Sequence, residues 1–313
     1  RPPPPPEPRA AGGRRARGIR IRRQITGNVR RRARIQCGMN APDPLLPLFD
    51  VQSEPDERQI AIDAVGVHGL RHPLTIRSGD VLLPTIATVT MTVGLGAHLR
   101  GTHMSRFVEL LEAQSDPVDQ RRFGEMVRAM VNRLEADSGA IDLRFPWFVI
   151  KHAPVSGARS RLDHEVRWHG RLHEGRYTFR MGVRVPVTSL CPCSRAISDY
   201  GAHNQRSVVA IEAELAAQTP IDELVAIAER NASCEIYGLL KRGDEKYVTE
   251  RAYDNPRFVE DLVRNVAADL DRDSRVVRYR VDAENFESIH NHSAFARVVR
   301  DRSRRTGTQG IPS

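Results

Sequence analysis

Three of the chain's best soft or borderline metal donors, Cys191, Cys193 and His203, fall within Ser189 to Arg206, which reads S-L-C-P-C-S-R-A-I-S-D-Y-G-A-H-N-Q-R. Cysteines separated by one residue make a poor disulfide, because they reach the usual separation only with strain. Cys-Pro-Cys also lacks the two-residue gap of a zinc knuckle. One thiolate plus a histidine twelve residues on supplies two ligands of an open catalytic site. The same residues also read as two buried, inert cysteines beside a surface histidine, and spacing alone leaves both readings open.

Polar residues concentrate in two further places. The first runs from Ser233 to Lys246 and includes Cys234, Glu235, Lys241, Arg242 and Glu245, with Glu250 and Glu260 following. The second, Phe286 to Ala294, holds Glu287, His290 and His292. On a strand the two histidines would share one face; a bare His-x-His pair in a chain with 11 histidines also reads as non-functional. No G-x-x-x-x-G-K-[ST] loop or G-x-G-x-x-G fingerprint is present. The zinc nucleobase deaminase pattern, H-x-E with P-C-x-x-C, is also missing.

The elements that must hold these residues follow from periodicity. Tyr177, Phe179, Met181, Val183, Val185 and Val187 alternate with polar neighbours, the pattern of a half-buried strand leading straight into Cys191. If that strand continues, the Cys191 and Cys193 thiols project from the same side. Residues 39–79 read as an irregular lead-in with one strand near Pro73 to Arg77, followed by a clear strand over 85–95. A helix opens near Phe107. A second has apolar Phe123, Met126, Val127, Met130, Val131 and Leu134 at helical spacing. Strands are predicted around Ile141 to Val149, at Val166-x-Trp168, and over 207–215. Thr219-Pro220 starts a helix, Asn255-Pro256 starts a longer one through Leu270, and strands over 277–283 and 290–298 close the chain. Two ββααββ runs with grouped helices and antiparallel hairpins indicate an α+β class.

Charge separates a tail from a body. Residues 1–38 hold twelve arginines and one acid, Glu7, so they alone exceed the whole chain's formal charge of +9 and leave a slightly acidic remainder. The proline run and the scarcity of apolar residues predict disorder there. Arginine-driven nucleic-acid contact and a targeting peptide are two functional readings of that tail. A dispensable extension ahead of a start at Met39 is the third. No run approaches the roughly eighteen apolar residues of a membrane span. Four cysteines in 313 residues do not make a secreted disulfide framework, so a cytoplasmic location is expected.

From about Met39 to Arg300 the chain resembles the type IB GTP cyclohydrolases. The motifs that carry the resemblance are G-T-H-M-S-R-F at 101–107, S-L-C-P-C-S at 189–194, H-N-Q-R at 203–206, C-E-I-Y-G-L-L-K-R at 234–242, D-E-K-Y-V-T-E at 244–250, F-V-E-D at 258–261 and E-S-I-H-N-H-S-A at 287–294. The basic tail lies outside the match and departs from the family. The resemblance implies a tunnelling fold with two ββααββ modules, at 39–170 and 171–302, the second carrying most active-site residues. Antiparallel sheets would have their helices on one side, and 303–313 would be a C-terminal tail. It implies a homotetramer with active sites at subunit interfaces. The implied reaction is conversion of GTP and water to formate and 7,8-dihydroneopterin triphosphate, an entry to folate, pterin and deazapurine synthesis. Carried over motif by motif, Cys191, His203 and Glu245 would ligate a divalent metal, Mn²⁺, Zn²⁺ or Fe²⁺. Cys193 would be a catalytic or gating thiol, and Glu287, His290 and His292 would serve proton transfer. Glu260 would anchor the guanine, with Arg206, Lys241, Arg242 and His103 as candidates for the triphosphate. Another tunnelling-fold enzyme acting on a pterin or deazapurine is the nearest alternative, and a nucleic-acid-binding protein acting through the arginine tail is the alternative from a different class.

Overall fold

The computed structural model describes residue 52 and residues 54–303. The arginine-rich tail expected at 1–38 lies outside the described residues, as does the C-terminal tail from 304 onward. The described chain begins with a hairpin of β1 (Ile62–Ser78) and β2 (Val81–Leu95), followed by α1 (Met104–Glu112) and α2 (Gln120–Arg133). A second hairpin pairs β3 (Ser138–His152) with β4 (Arg159–His173). Then come β5 (Arg176–Leu190), a short α3 (Pro192–Ile197), β6 (Asn204–Leu215), α4 (Ile221–Asn231) and the two-residue β7 (Cys234–Glu235). Last are α5 (Arg242–Asp254), α6 (Val259–Arg272), β8 (Val276–Asn285) and β9 (Ala294–Asp301).

The strands form one antiparallel sheet in the order β1-β2-β3-β4-β5-β6-β8-β9, with β7 added to the end of β5. The predicted α+β class holds, and the antiparallel strands of both halves are joined into one sheet. The join is the two-residue turn Glu174-Gly175, both at positive φ, 49° and 72°. Such turns match the right-handed twist of paired strands, so β4 runs directly into β5.

Alternation along the strands buries one face, and the helices cover it. Helix α2 buries Phe123, Met126, Val127, Met130 and Val131, the stripe that its periodicity predicts. Its Phe123 meets Trp168 and Phe179 with ring centroids 5.8 and 6.0 Å apart, and Phe145 packs edge-on against Trp168 at 5.5 Å. Burying a side chain of this size stabilises the fold by about 1.5–3 kcal/mol. Helices α4 and α6 continue the same layer over β5 and β8, each with a fully buried leucine, Leu224 and Leu262. Opposite, the uncovered face is a ladder of charge pairs such as Arg167 with Asp142, Arg180 with Glu214 and Arg297 with Asp282. No helix among the described residues is long and apolar enough to cross a membrane.

Two expectations are corrected, and one helix that was not expected is added. The lead-in expected to be irregular up to residue 79 contains all of β1, a seventeen-residue strand. Register shifts between Ile62 and Val65 and between Val67 and Leu70 break its alternation, so a period-two reading finds only its regular end. The last strand begins at Ala294, not at His290, because 286–293 turns. Helix α5 was not anticipated; it buries only Asp244 and Ala252, leaving no apolar stripe to read.

Asp244 explains how so polar a helix is held. Fully buried, its carboxylate accepts from the Val155 and Ser156 amides (2.8 Å each), the Ser156 hydroxyl (2.6 Å) and the Lys241 amide (2.8 Å). Burial alone would raise its pKa, but the Ser156 hydroxyl and the surrounding amides outweigh burial and hold it well below the ordinary 3.8. A depressed folded pKa contributes stability that is complete above the unfolded value and is lost as pH falls below it. Asp244→Asn, which turns a donor toward donors, should therefore be less stable than the parent at pH 7. The gap should narrow below about pH 3.8. Urea melts at pH 7, 4 and 3 measure it, and a gap that does not change with pH would remove the charge from this account.

Candidate functional site

Strand β5 carries its buried face, Met181, Val183, Val185 and Val187, up to Ser189, and pairing with β6 sets Ser189 opposite Gln205 and Leu190 opposite Asn204. It stops at Leu190 because Pro192 takes the first helical position of α3 and Cys191 becomes its N-cap, with Sγ accepting from the Ser194 amide at 3.5 Å. Proline is pre-set for that position and ends the extended run. Cys191 is therefore half-buried at the cap while Cys193 is exposed on α3. This corrects the expectation that both thiols continue one strand face.

His203 is pinned beside Cys191. The Cys191 amide donates to the His203 carbonyl at 3.1 Å, and the His203 amide donates to Ser194 Oγ at 3.2 Å, which in turn donates to the Cys191 carbonyl. The imidazole Nδ1 lies 2.8 Å from Gln205 Oε1. Gln205 Nε2 donates to Ser189 Oγ at 3.1 Å, and Ser189 Oγ lies 2.7 Å from Ser207 Oγ. Ser189 and Ser207 are fully buried. Because the amide nitrogen of Gln205 is committed to Ser189, its oxygen faces His203, so Nδ1 is the donor and Nε2 keeps the lone pair. Glu287 adds a second acceptor, Oε2 at 3.6 Å from the same Nδ1. It is held there by the turn after β8, where the Phe286 amide donates to the Arg206 carbonyl at 3.1 Å.

A third segment joins the same strand end. Leu190 donates to Ser233 Oγ at 3.0 Å, Asn255 Nδ2 donates to the Ala232 and Ser233 carbonyls, and the Arg257 amide donates to the Leu190 carbonyl at 3.0 Å. That stitches the entrance of α6 to the residue before Cys191. Glu260, exposed in the first turn of α6, follows three residues later.

Among the expected site residues, the structure brings together Cys191, His203 and Glu287, with Glu260 close by in sequence to the stitched segment. Glu245 is exposed in the first turn of α5, and no hydrogen bond or ion pair joins Glu245, Lys241 or Arg242 to the Cys191–His203 pair. Arg206 lies on β6 with its side chain exposed, and His103 is the N-cap of α1. His290 and His292 do not lie on a strand; they sit exposed in the 286–293 turn with their rings stacked, 5.0 Å between centroids. Cys234 is a poor thiolate, its pKa pushed up to about 11, first by burial and then by Glu235. The residues that sequence reasoning missed are Gln205, Ser189 and Ser207; the buried serine inside an apolar alternation was the available signal.

Cys191 Sγ and His203 Nε2 are donor types that suit a divalent metal, and a histidine whose Nδ1 is held by an acceptor such as Gln205 Oε1 has the usual outer support of a ligating imidazole. No three His, Cys, Asp or Glu side chains gather tightly enough to hold an ion among the described residues, so the third donor expected at Glu245 is not supplied within this arrangement.

The family model described as "Type I GTP cyclohydrolase folE2" matches residues 48–296. The chain belongs to that family. A GTP cyclohydrolase FolE2 of Ralstonia nicotianae is 53% identical over 266 residues, 85% of this chain and 99% of the relative. One from Burkholderia ambifaria is 58% identical over 266 residues, 84% and 98% of the two chains. Among solved structures, the uricase of Arthrobacter globiformis covers 80% of this chain and 96% of its own at 10% identity, with a TM-score of 0.39.

In this family member the state of His203 depends on Gln205. Gln205→Leu keeps the volume but removes the acceptor, and Ser189 and Ser207 can still pair with each other. Parent protein at pH 7.5 should show His203 as the single Nδ1–H tautomer in ¹⁵N chemical shifts, and the variant a mixture. An unchanged spectrum would mean that Glu287 alone sets the tautomer.

Proposed function

We propose that this protein is a GTP cyclohydrolase of type IB: it opens the imidazole ring of GTP hydrolytically, releases formate and closes the product to 7,8-dihydroneopterin triphosphate. The observation that carries the reading is the meeting, at the end of β5, of three separate motifs, the third far along the chain from the other two. Cys191 comes from S-L-C-P-C-S, His203 from H-N-Q-R, and Glu287 from E-S-I-H-N-H-S-A.

A divalent ion on Cys191 and His203, with Glu245 as the third donor, would supply an activated water at near-neutral pH for attack on C8. The chain's own residues do the rest. Glu260 accepts from guanine N1–H and the 2-amino group, a bidentate charge-assisted contact that adenine cannot reproduce. Glu287, 3.6 Å from His203 Nδ1, takes and returns protons, and the exposed His290 and His292 serve the later acid–base steps. Cys193 is a neighbouring thiol for catalysis or gating, and Arg206, Lys241, Arg242 and His103 are the candidates for the triphosphate.

We read the single sheet as two tunnelling-fold modules fused at β4–β5, assembled as a homotetramer. Both outer strands, β1 and β9, have an unpaired edge among the described residues, and Ile60, Ile62, Phe295 and Val299 are exposed on or beside them. An edge of that kind is an invitation to pair with another copy. Assembly is also the economical source of the parts that one chain leaves scattered, the exposed His290, His292 and Glu245.

Incubation with GTP and Mn²⁺, Zn²⁺ or Fe²⁺ should yield formate and, after oxidation, fluorescent neopterin. Cys191→Ser should lose metal affinity and turnover together. No product with any of the three ions would sink the reading.

Glu260→Gln tests the base contact separately. It turns a donor toward a donor, which costs on the order of 2 kcal/mol, about thirtyfold in binding. Metal content should stay that of the parent. Parental GTP affinity in this variant would transfer the base-reading role to another acid.

A further inference from the structure

Arg257 sits on the short connection into α6, and its backbone is fixed from two sides. Its amide donates to the Leu190 carbonyl at 3.0 Å, and Asn255, two residues earlier, is tied to the Ala232 and Ser233 carbonyls at 2.9 and 3.2 Å. The backbone of Arg257 is therefore tied to Leu190, the residue before Cys191, and lies three positions before Glu260.

Its side chain is less satisfied than its backbone. Nη1 donates to the Pro256 carbonyl at 3.1 Å, but the Nε–H is buried without a hydrogen bond, and no carboxylate pairs with the guanidinium among the described residues. Arg251, on α5, is compensated by Glu235 at 3.0 Å. A guanidinium offers five N–H donors and no acceptor. One that is held in place, partly desolvated and without an anion is built for an acceptor that arrives with a ligand.

The geometry points to Arg257 as the residue that reads the 6-oxo group of guanine, donating to O6 while Glu260 accepts from N1–H and the 2-amino group. The inference rests on the guanine-binding role proposed above for Glu260. On the purine, O6 is adjacent to N1, and the edge carrying O6 and N7 leads to the imidazole ring. A donor tied to the residue before Cys191 and three positions before Glu260 therefore meets O6 and leaves the five-membered ring toward Cys191 and His203. Adenine, with an amine at position 6 and no N1–H, would present a donor to Arg257 and an acceptor to Glu260. Arg257 is thus a specificity-determining residue that also sets the direction of the base.

The test compares GTP, inosine 5′-triphosphate and 6-thioguanosine 5′-triphosphate on the full-length metal-loaded protein. The last of these keeps N1–H and the 2-amino group but replaces O6 with a weakly accepting sulfur. Arg257→Ala should lower kcat/KM about tenfold to a hundredfold for GTP and inosine triphosphate, the range of a lost hydrogen bond to a charged group. For 6-thioguanosine triphosphate the loss should be under about threefold, so the parent's discrimination between oxygen and sulfur collapses. Arg257→Lys should recover part of that discrimination, and it carries the comparison if the alanine variant does not fold. Equal losses on all three nucleotides would overturn the assignment and give Arg257 to the phosphates or to the fold. Guanosine binding then separates those two, since a phosphate contact leaves it unchanged. A parent that converts none of the three would overturn the cyclohydrolase reading and this inference with it. A parent that converts GTP while Arg257→Ala leaves the oxygen-to-sulfur ratio unchanged would overturn the inference alone.

Discussion

The antiparallel register that sets Ser189 opposite Gln205 governs the rest of the candidate site. Side-chain direction in a strand alternates with period two, so a one-residue slip of β5 against β6 would carry Val183, Val185 and Val187 off the face that α4 covers. The apolar demand of the core thus selects the register. The register in turn delivers Ser189, Ser207 and Gln205 to one buried spot, with His203 at its mouth. Polar groups buried there are costly unless each finds a partner, and here the bonds run in a chain from Ser207 to His203. Core packing and the orientation of an imidazole are in this sense one requirement.

The strand end also explains why the segments around it are so heavily stitched. A strand that stops at a proline leaves backbone groups without ladder partners, and they must be satisfied locally. Leu190 donates to Ser233 Oγ and accepts from the Arg257 amide; Cys191 donates to the His203 carbonyl. Each of these bonds brings in a different segment: the residue before β7, the entrance of α6, and the loop before β6. The convergence follows from ending a buried strand abruptly. Any chemistry placed there inherits rigid supports from three directions, the condition under which side chains are held closely enough to act.

How far the sequence spoke for itself varied with the kind of signal. Strands β2, β3, β5, β6 and β8 and helices α2 and α6 announce themselves by apolar period, and their buried faces are those the period predicts. Strand β1 does not, because bulges and an exposed edge erase the alternation over its first half. Helix α5 is held by one buried carboxylate, a contact that no periodicity encodes. In the site, the motif around Cys191 and His203 was readable as donor chemistry, yet the thiol geometry was not. Whether Cys191 continues a strand or caps a helix turns on the proline after it. Gln205 was hidden for a different reason: its importance lies in partners sixteen and two residues away, on another strand and at the mouth of its own.

Glu245 shows what remains to be brought together. Its neighbour Asp244 hangs α5 from Val155 and Ser156, in the turn between β3 and β4, whereas Cys191 and His203 belong to the end of β5 and the start of β6. The two groups are therefore positioned by different hairpins. A ligand that requires Glu245 together with Cys191 and His203 must hold the β3–β4 turn and the β5 end in fixed relation. Its binding free energy is then partly spent on that relation, and whatever stiffens the sheet between them raises affinity without touching the ligand. In the proposed assembly, neighbouring copies along β1 and β9 would do that stiffening, which ties occupancy of the site to association of the chains.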